Sequence, residues 1–520
     1  MVWGKPMASK YNLEEILESY RQLRSWRRVS SKHKIPRGTL YALLKKNPKL
    51  VKEYTDRSFD VTKVSTPRKG VRRFIYTSAQ NEAPVDVRFW RNLTVFAEHT
   101  GAELGVIGYS YNPCVGNFAN RKFAAEIEPH IVTGRIDLGN KALVCAEINI
   151  SPTAVHPLSG FETYTREKWG IFGHPRVALA SVPTGFDQKT KQIMTTGCCT
   201  LPNYIYSKAG MKAEFHHVIG ALLVEIDSDG DVFCRHLIAD DKGDFQDLNT
   251  IVKDGKVTGS WRVASITWGD IHVEQLDPAV DKGCFWRKGM LDVLDPESQF
   301  FHDIIDFTGR NSHNMDDPHH RFKMWVNDTE RVDAVFCLAR NFLARTQRPS
   351  TQSFVIESNH DYQLMRWLKR GDYKNDPANS QFFLRAQSAV YDALARKDDA
   401  FSVFAWALDA PNITFIPETS SFKICNDKGR GIECALHGHK GANGAKGHLY
   451  AFAKMGSKAN VGHTHSAAIY EGIYQAGTSS KLDLDYNRGG LSSWNHAHIV
   501  TYLNGKRAII TMCGSKWRAK

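Results

Sequence analysis

Asp270 and His272, Asp303 and Asp306, Asn359 and His360, His437 and His439, and His463 and His465 are the residues of this 520-residue chain whose types and spacing point to chemistry. They fall in five runs, Gly269-Asp270-Ile271-His272, Asp303-Ile304-Ile305-Asp306, Ser358-Asn359-His360-Asp361, His437-Gly438-His439 and Gly462-His463-Thr464-His465. The runs offer carboxylate, amide and imidazole donors and no thiolate. Such a set suits divalent manganese (Mn2+) first, with iron, zinc or magnesium as alternatives. Two such ions side by side clamp a phosphate and acidify a bridging water, which yields a hydroxide nucleophile at neutral pH. The leaving alkoxide then needs a proton, and a histidine with a carboxylate partner supplies one. One of these histidines alone would read as an ordinary core or surface residue. Five runs in this order, between residues 269 and 465, spell out a two-metal phosphoesterase.

Distant runs share a metal pair only if the fold brings them to one edge. Residues 265–268, 353–356 and 432–436 are short apolar stretches that read as strands leading into the first, third and fourth runs. Ligands carried at strand ends converge along the edge of a sheet, which is the required geometry.

The order D-x-H, D-x-x-D, N-H-[DE], H-G and G-H-x-H resembles the calcineurin-like metallophosphoesterase superfamily. The resemblance implies a first metal held by Asp270, His272, Asp303 and His465. It implies a second held by Asp303, Asn359, His437 and His463, with Asp303 bridging. His360 would be the proton donor and Asp306 its orienting partner. His439 is an alternative to His437. His302 and Ser358 stand where the family has glycine, beside ligands rather than at them. The overall layout also resembles phage-encoded phosphoesterases, including the early DNA-degrading nucleases of T5-like phages. This implies a metal-dependent DNase acting in the host cytoplasm.

The charge balance bears on substrate. Sixty-eight lysines and arginines against 55 acids give a net charge of +13. Such a surface attracts polyanions through counterion release. The densest basic block is N-terminal, where Leu13, Ile16, Leu17 and Tyr20 lie on one face of a helix. A second helix through Trp26 and Val29 ends before Pro36, and a third opens at Arg37-Gly38-Thr39 with Leu40, Leu43 and Leu44 facing inward. This spacing is that of a helix-turn-helix. Arg27, Arg28, Lys34 and Arg37, with Arg24, Lys32, Lys45 and Lys46 nearby, are candidate phosphate contacts, and Thr39 stands where recognition helices meet base edges. The alternative role for these helices is assembly, such as a homo-oligomer, around a phosphatase or small-nucleotide phosphodiesterase.

Residues 65–70, Ser-Thr-Pro-Arg-Lys-Gly, have the composition of a linker. Beyond it, strand, helix and strand patterns over residues 74–77, 84–99 and 104–109 predict a βαβ unit. Further strands are predicted at 143–150, 177–182 and 219–226. Asp227-Ser228-Asp229-Gly230-Asp231 lacks the spacing and closing glutamate of a calcium loop and reads as a hairpin turn. The histidine-rich run from Asn311 to Arg321 reads as a loop near the metals, with Arg310 or Arg321 offered to phosphate. No apolar stretch reaches membrane-spanning length, and ten cysteines without a C-x-x-C pair fit a reducing cytoplasm. The expected architecture is α/β in three parts: a basic helix-turn-helix at 1–64, an α/β domain at 65–258, and a metallophosphoesterase sandwich, a two-layered sheet core flanked by helices, at 259–520.

Overall fold

The computed structural model describes residues 11–23, 25–55, 61–111, 122–185, 187–426, 429–484 and 487–520. At the N-terminus the three expected helices are Leu13–Leu23, Trp26–Lys32 and Arg37–Lys46. Ser25 caps the second by accepting from the Arg28 N–H. A fourth helix, Pro48–Thr55, follows at once, with proline at its first position, where a missing N–H costs nothing. Ile16, Leu17, Val29, Ile35, Leu40 and Leu44 are buried together, and Tyr20 stacks on Trp26 at 3.9 Å. Leu43, expected inward, is half-buried.

The rest of the chain is mixed α/β. The predicted βαβ unit is present as Val71–Gln80, Val87–Thr100 and Glu103–Tyr109, its strands parallel neighbours in a five-stranded sheet. Asp86 caps the helix and Gly101, at φ 66°, closes it in the left-handed region that glycine tolerates. The predicted strands at 143–150 and 432–436 are shorter than expected, Ala142–Cys145 and Ile432–Glu433.

One sheet crosses the boundaries expected at 64/65 and 258/259, while the other three each lie within one of the expected parts. One eleven-stranded sheet begins with Val61–Val64, which pairs with Arg135–Leu138. It continues through the middle region to Ala178–Val182, whose neighbour is Ala468–Tyr470, with Ile469 opposite Leu179. It ends with Ile473–Gln475, Lys458–Val461, Ile432–Glu433 and Lys423–Ile424. The core follows the sheet across the supposed boundary. Phe74, Leu222 and Val224 from the middle region are buried with Ile469, Tyr474, Ile499 and Ile509 from the C-terminal half. Local composition at residues 65–70 suggests a linker, but long-range pairing uses the strand just before it.

A six-stranded sheet, in the order Ile413–Ile416, Gln352–Ile356, Ser298–His302, Ser265–Thr267, Ala497–Thr501, Arg507–Thr511, carries the first three motif runs. Its first four strands are parallel. Successive strand residues face opposite sides, so Phe300 and Phe301 enter different cores. Phe300 packs with Phe354, Ile356 and Ile416 against Ile432 of the large sheet and against Cys434 and Ala435 just beyond that strand. Phe301 packs with Phe285, Phe336 and Phe342, mostly from helices on the other side. Two sheets thus face each other, with a helical layer outside one of them.

Candidate metal centre

Three parallel strands deliver the first candidate ligands side by side. Beyond the strand ends the chains stay in register: the Ile271, His272 and Val273 N–H groups donate to the carbonyls of His302, Asp303 and Ile304 at 2.8–3.0 Å. This fixes Asp270 and His272 beside Asp303. The large sheet brings the remaining runs to the same edge, where the Gly462 N–H donates to the His437 carbonyl and the His463 N–H to Asp270 Oδ2, both at 2.8 Å. Glycine is needed at 462 because a Cβ there would overlap Asp270 Oδ1.

The candidate ligands gather in two groups that share Asp303. Asp270, His272, Asp303 and His465, all buried, offer donor atoms within 4.8 Å of one another, and so do Asp303, His437 and His463. Asn359 Oδ1 lies 3.0 Å from His437 Nε2, which adds the amide to the second group. His437, not His439, meets Asp303, at 3.2 Å. His439 turns toward Glu418, 3.2 Å away.

The donors fit divalent cations on two counts. Asp270 Oδ1 and Asp303 Oδ1 are buried with no hydrogen-bond partner among the described residues, and His272 Nε2 and His465 Nε2 face each other at 3.1 Å. A buried carboxylate oxygen without a partner is costly unless it is neutralised, and two imidazole nitrogens facing each other among carboxylates suit a shared cation. Second, His272, Asp303, His463 and His465 all take positive φ, at 43°, 42°, 78° and 57°. For residues other than glycine this strain costs about 1–3 kcal/mol each and persists where the surroundings enforce it, typically at functional sites.

The electrostatics keep most donors ready for a metal. Burial raises Asp303, but His437, His360 and His272 around it win and hold it well below the usual carboxylate range. Burial also opposes ionisation of Asp270, and His465 and His437 keep it low. Burial and the neighbouring histidines push His272 and His463 down to about 4, so both are neutral imidazoles at pH 7. His437 is raised by Asp303 against the pull of burial, so a cation there displaces a proton.

Beside the cage, His360 Nδ1 lies 3.3 Å from Asp306 Oδ1 and 3.1 Å from the Asp306 carbonyl. Burial lowers His360, but Asp303 and Asp306 raise it to about 9. Asp306 itself is held by Thr308, which donates to Oδ2 at 2.6 Å.

Sequence reasoning missed several supports. Glu274 accepts the N–H groups of Asp306 and Phe307 at 2.7 and 2.9 Å and so fixes the turn that carries Asp306. Nothing in its type or spacing marks it. His302 places Nδ1 3.3 Å from His437 Nδ1, a neighbour to the ligand rather than a disturbance of it. Its identity in place of glycine was the available signal. Asp361 accepts from the Ser358 N–H at 2.9 Å, which closes the turn that glycine shapes in the family pattern. Trp494 packs edge-on against His465, with ring centroids 4.2 Å apart.

The arginines offered to phosphate are otherwise engaged. Arg310 is buried and clamps Asp376 through two hydrogen bonds of 2.6 and 2.8 Å, and Arg321 donates to the Asn375 carbonyl. The run that follows Arg310 is also partly helical, Pro318–Val326. At the N-terminus Arg27, Arg28, Lys34, Arg37 and Thr39 are all exposed on the helical bundle; Arg24 lies outside the described residues.

Every described cysteine is a free thiol, and no described helix is long and apolar enough to cross a membrane. No family model matches the chain. Over 471 residues it is 39% identical to Protein A1 of Escherichia phage T5, an alignment that covers 86% of this chain and 83% of that protein.

Proposed function

The chain belongs to the family of Protein A1 of Escherichia phage T5, and from that premise and the donor cage we propose a phage-encoded, two-metal phosphoesterase of the calcineurin-like kind that hydrolyses DNA. The observation that carries the proposal is the pair of donor groups joined at Asp303, with the His360–Asp306 pair beside them. The facing sheets, with ligands at the ends of parallel strands, support the superfamily arrangement.

Asp270, His272, Asp303 and His465 would hold one ion, and Asp303, Asn359, His437 and His463 the other. Once bound, the ions would supply charge neutralisation of a phosphate and an acidified water. The protein residues do the rest. His360 Nδ1–H hydrogen-bonds the Asp306 carbonyl, which leaves Nε2 as the atom that hands a proton to the departing oxygen. Asp306, held by Thr308 and by the Glu274-bound turn, keeps that ring aimed. DNA as substrate is supported by the net charge of +13 and by the exposed basic residues of the N-terminal bundle.

The test is incubation of the full chain with linear and circular duplex DNA and manganese, with EDTA as the control. Metal-dependent loss of DNA is expected. Efficient cleavage of nitrophenyl monoesters or cyclic nucleotides with DNA left intact would instead indicate a phosphatase or small-nucleotide phosphodiesterase.

A further inference from the structure

Beside His437 and His463 lies a second histidine–carboxylate pair, His439 and Glu418. His439 Nε2 is 3.2 Å from Glu418 Oε1, though not aligned for a hydrogen bond. Both ring nitrogens are shielded from solvent, neither has a hydrogen-bond partner among the described residues, and the side chain is only 11% exposed. The ring stands 5.4 Å from that of His437 and 6.0 Å from that of His463, yet it belongs to neither donor group. Imidazole nitrogens shielded from water and without a hydrogen bond are costly, and such a group is suited to receive a ligand.

Glu418 is fixed from three sides. Its Oε2 accepts from Tyr362 Oη at 2.6 Å and from Lys440 Nζ at 2.5 Å, and its N–H donates to Glu357 Oε2 at 2.8 Å. Each part of this clamp follows a strand end or a proposed ligand closely: Glu357 and Glu418 the strands Gln352–Ile356 and Ile413–Ile416, Tyr362 the Asn359–His360 run, and His439 and Lys440 the ligand His437. The clamp is therefore built at the same edge as the cage.

We infer that His439 is a second substrate-contacting histidine, which hydrogen-bonds an oxygen of the phosphate held at the second metal position, and that Glu418 is its positioning residue. The inference rests on the phosphoesterase reading above. The contact would lie beside His437 and His463, whereas the proton donor His360 stands beside His272.

The experiment uses the full, manganese-loaded chain with His439→Ala, His439→Gln and Glu418→Gln. Metal per chain is measured by plasma mass spectrometry and binding of inorganic phosphate by calorimetry. KM and kcat on bis(p-nitrophenyl) phosphate are measured separately. His439→Ala is expected to keep both metals and to weaken phosphate binding and raise KM by about 10- to 100-fold, the worth of a hydrogen bond to a charged group. His439→Gln, whose amide still donates, is expected to recover part of that loss, and Glu418→Gln to lie between. Loss of one metal in His439→Ala would make it a ligand and overturn the inference. Unchanged phosphate affinity and KM would make it structural and overturn the inference equally. Should the wild-type chain bind phosphate without hydrolysing any ester, the enzyme reading fails, while the calorimetric comparison still decides His439.

Discussion

Two acidic clusters in this molecule look alike by residue type and differ in what completes them. In the hairpin turn between Gly220–Asp227 and Val232–Ile238, three aspartates surround Lys516, whose Nζ lies 2.6, 2.9 and 2.5 Å from Asp227, Asp229 and Asp231. Around Asp270 and Asp303 the described residues supply no lysine or arginine ion pair; the carboxylates meet histidines, and one oxygen of each has no partner. Proximity of carboxylates alone does not make a metal site. The first cluster already has its cation on the chain, and the second gathers buried donors able to hold one. The spacing of the turn is wrong for a calcium loop, and the structure adds that a C-terminal lysine fills it.

The largest effect expected from breaking the cage comes from its shared member. Asp303→Ala removes a donor from both groups, so hydrolysis should fall to background and metal per chain should drop, while circular dichroism and the unfolding transition stay native-like. Near-wild-type turnover with both metals bound would refute the bridging role.

His360→Ala separates metal binding from proton transfer. Metal content should hold while DNA hydrolysis drops by about two to four orders of magnitude. The loss should shrink for a nitrophenyl diester, whose leaving group needs no proton. An equal loss on both substrates would assign His360 another task.

The convergence of the candidate ligands was legible because they lie in short runs of the types that coordination chemistry favours. Asp270, His272, Asp303, Asn359, His437, His463 and His465 converge without any of them being individually unusual. Their supports were not legible, since Glu274 and Glu418 act through backbone and side-chain contacts made only after folding. The same distinction explains the fold. The helix at Val87–Thr100 is written in local periodicity and capping, whereas the pairing of Ala178–Val182 with Ala468–Tyr470 joins segments far apart in the chain, which no local pattern announces. The N-terminal helices were likewise legible, but the expected cut at residue 64 runs past a strand of the large sheet.

That correction sharpens the test of the basic bundle. Deletion of residues 1–55 leaves Val61–Val64 in place, whereas deletion to 64 strips a strand from the sheet edge. The shorter deletion should weaken duplex binding by about tenfold or more. It should also flatten the salt dependence, by about one unit of slope for each phosphate no longer neutralised. Turnover of a small diester should be nearly unchanged. Preserved salt slope with an altered sedimentation profile would assign the bundle to assembly instead.

The smallest expected effect tests the self-completed cluster. Lys516→Ala leaves Asp227, which is buried, facing Asp229 and Asp231 with no lysine between them. The cost should be about 1–2 kcal/mol in urea unfolding, between the limits for exposed and buried pairs, because Asp229 is mostly exposed. Burial raises Asp231, but Cys513 and Lys516 prevail and hold it below its ordinary value. Its share of that stability is therefore present at neutral pH and is lost as the pH falls through the carboxylate range. Millimolar calcium should recover part of the lost stability in Lys516→Ala and do little for the parent chain, since only the variant has carboxylates awaiting a cation. Hydrolysis by the cage should not change. If calcium stabilised both proteins equally, the lysine would not be what separates the two clusters.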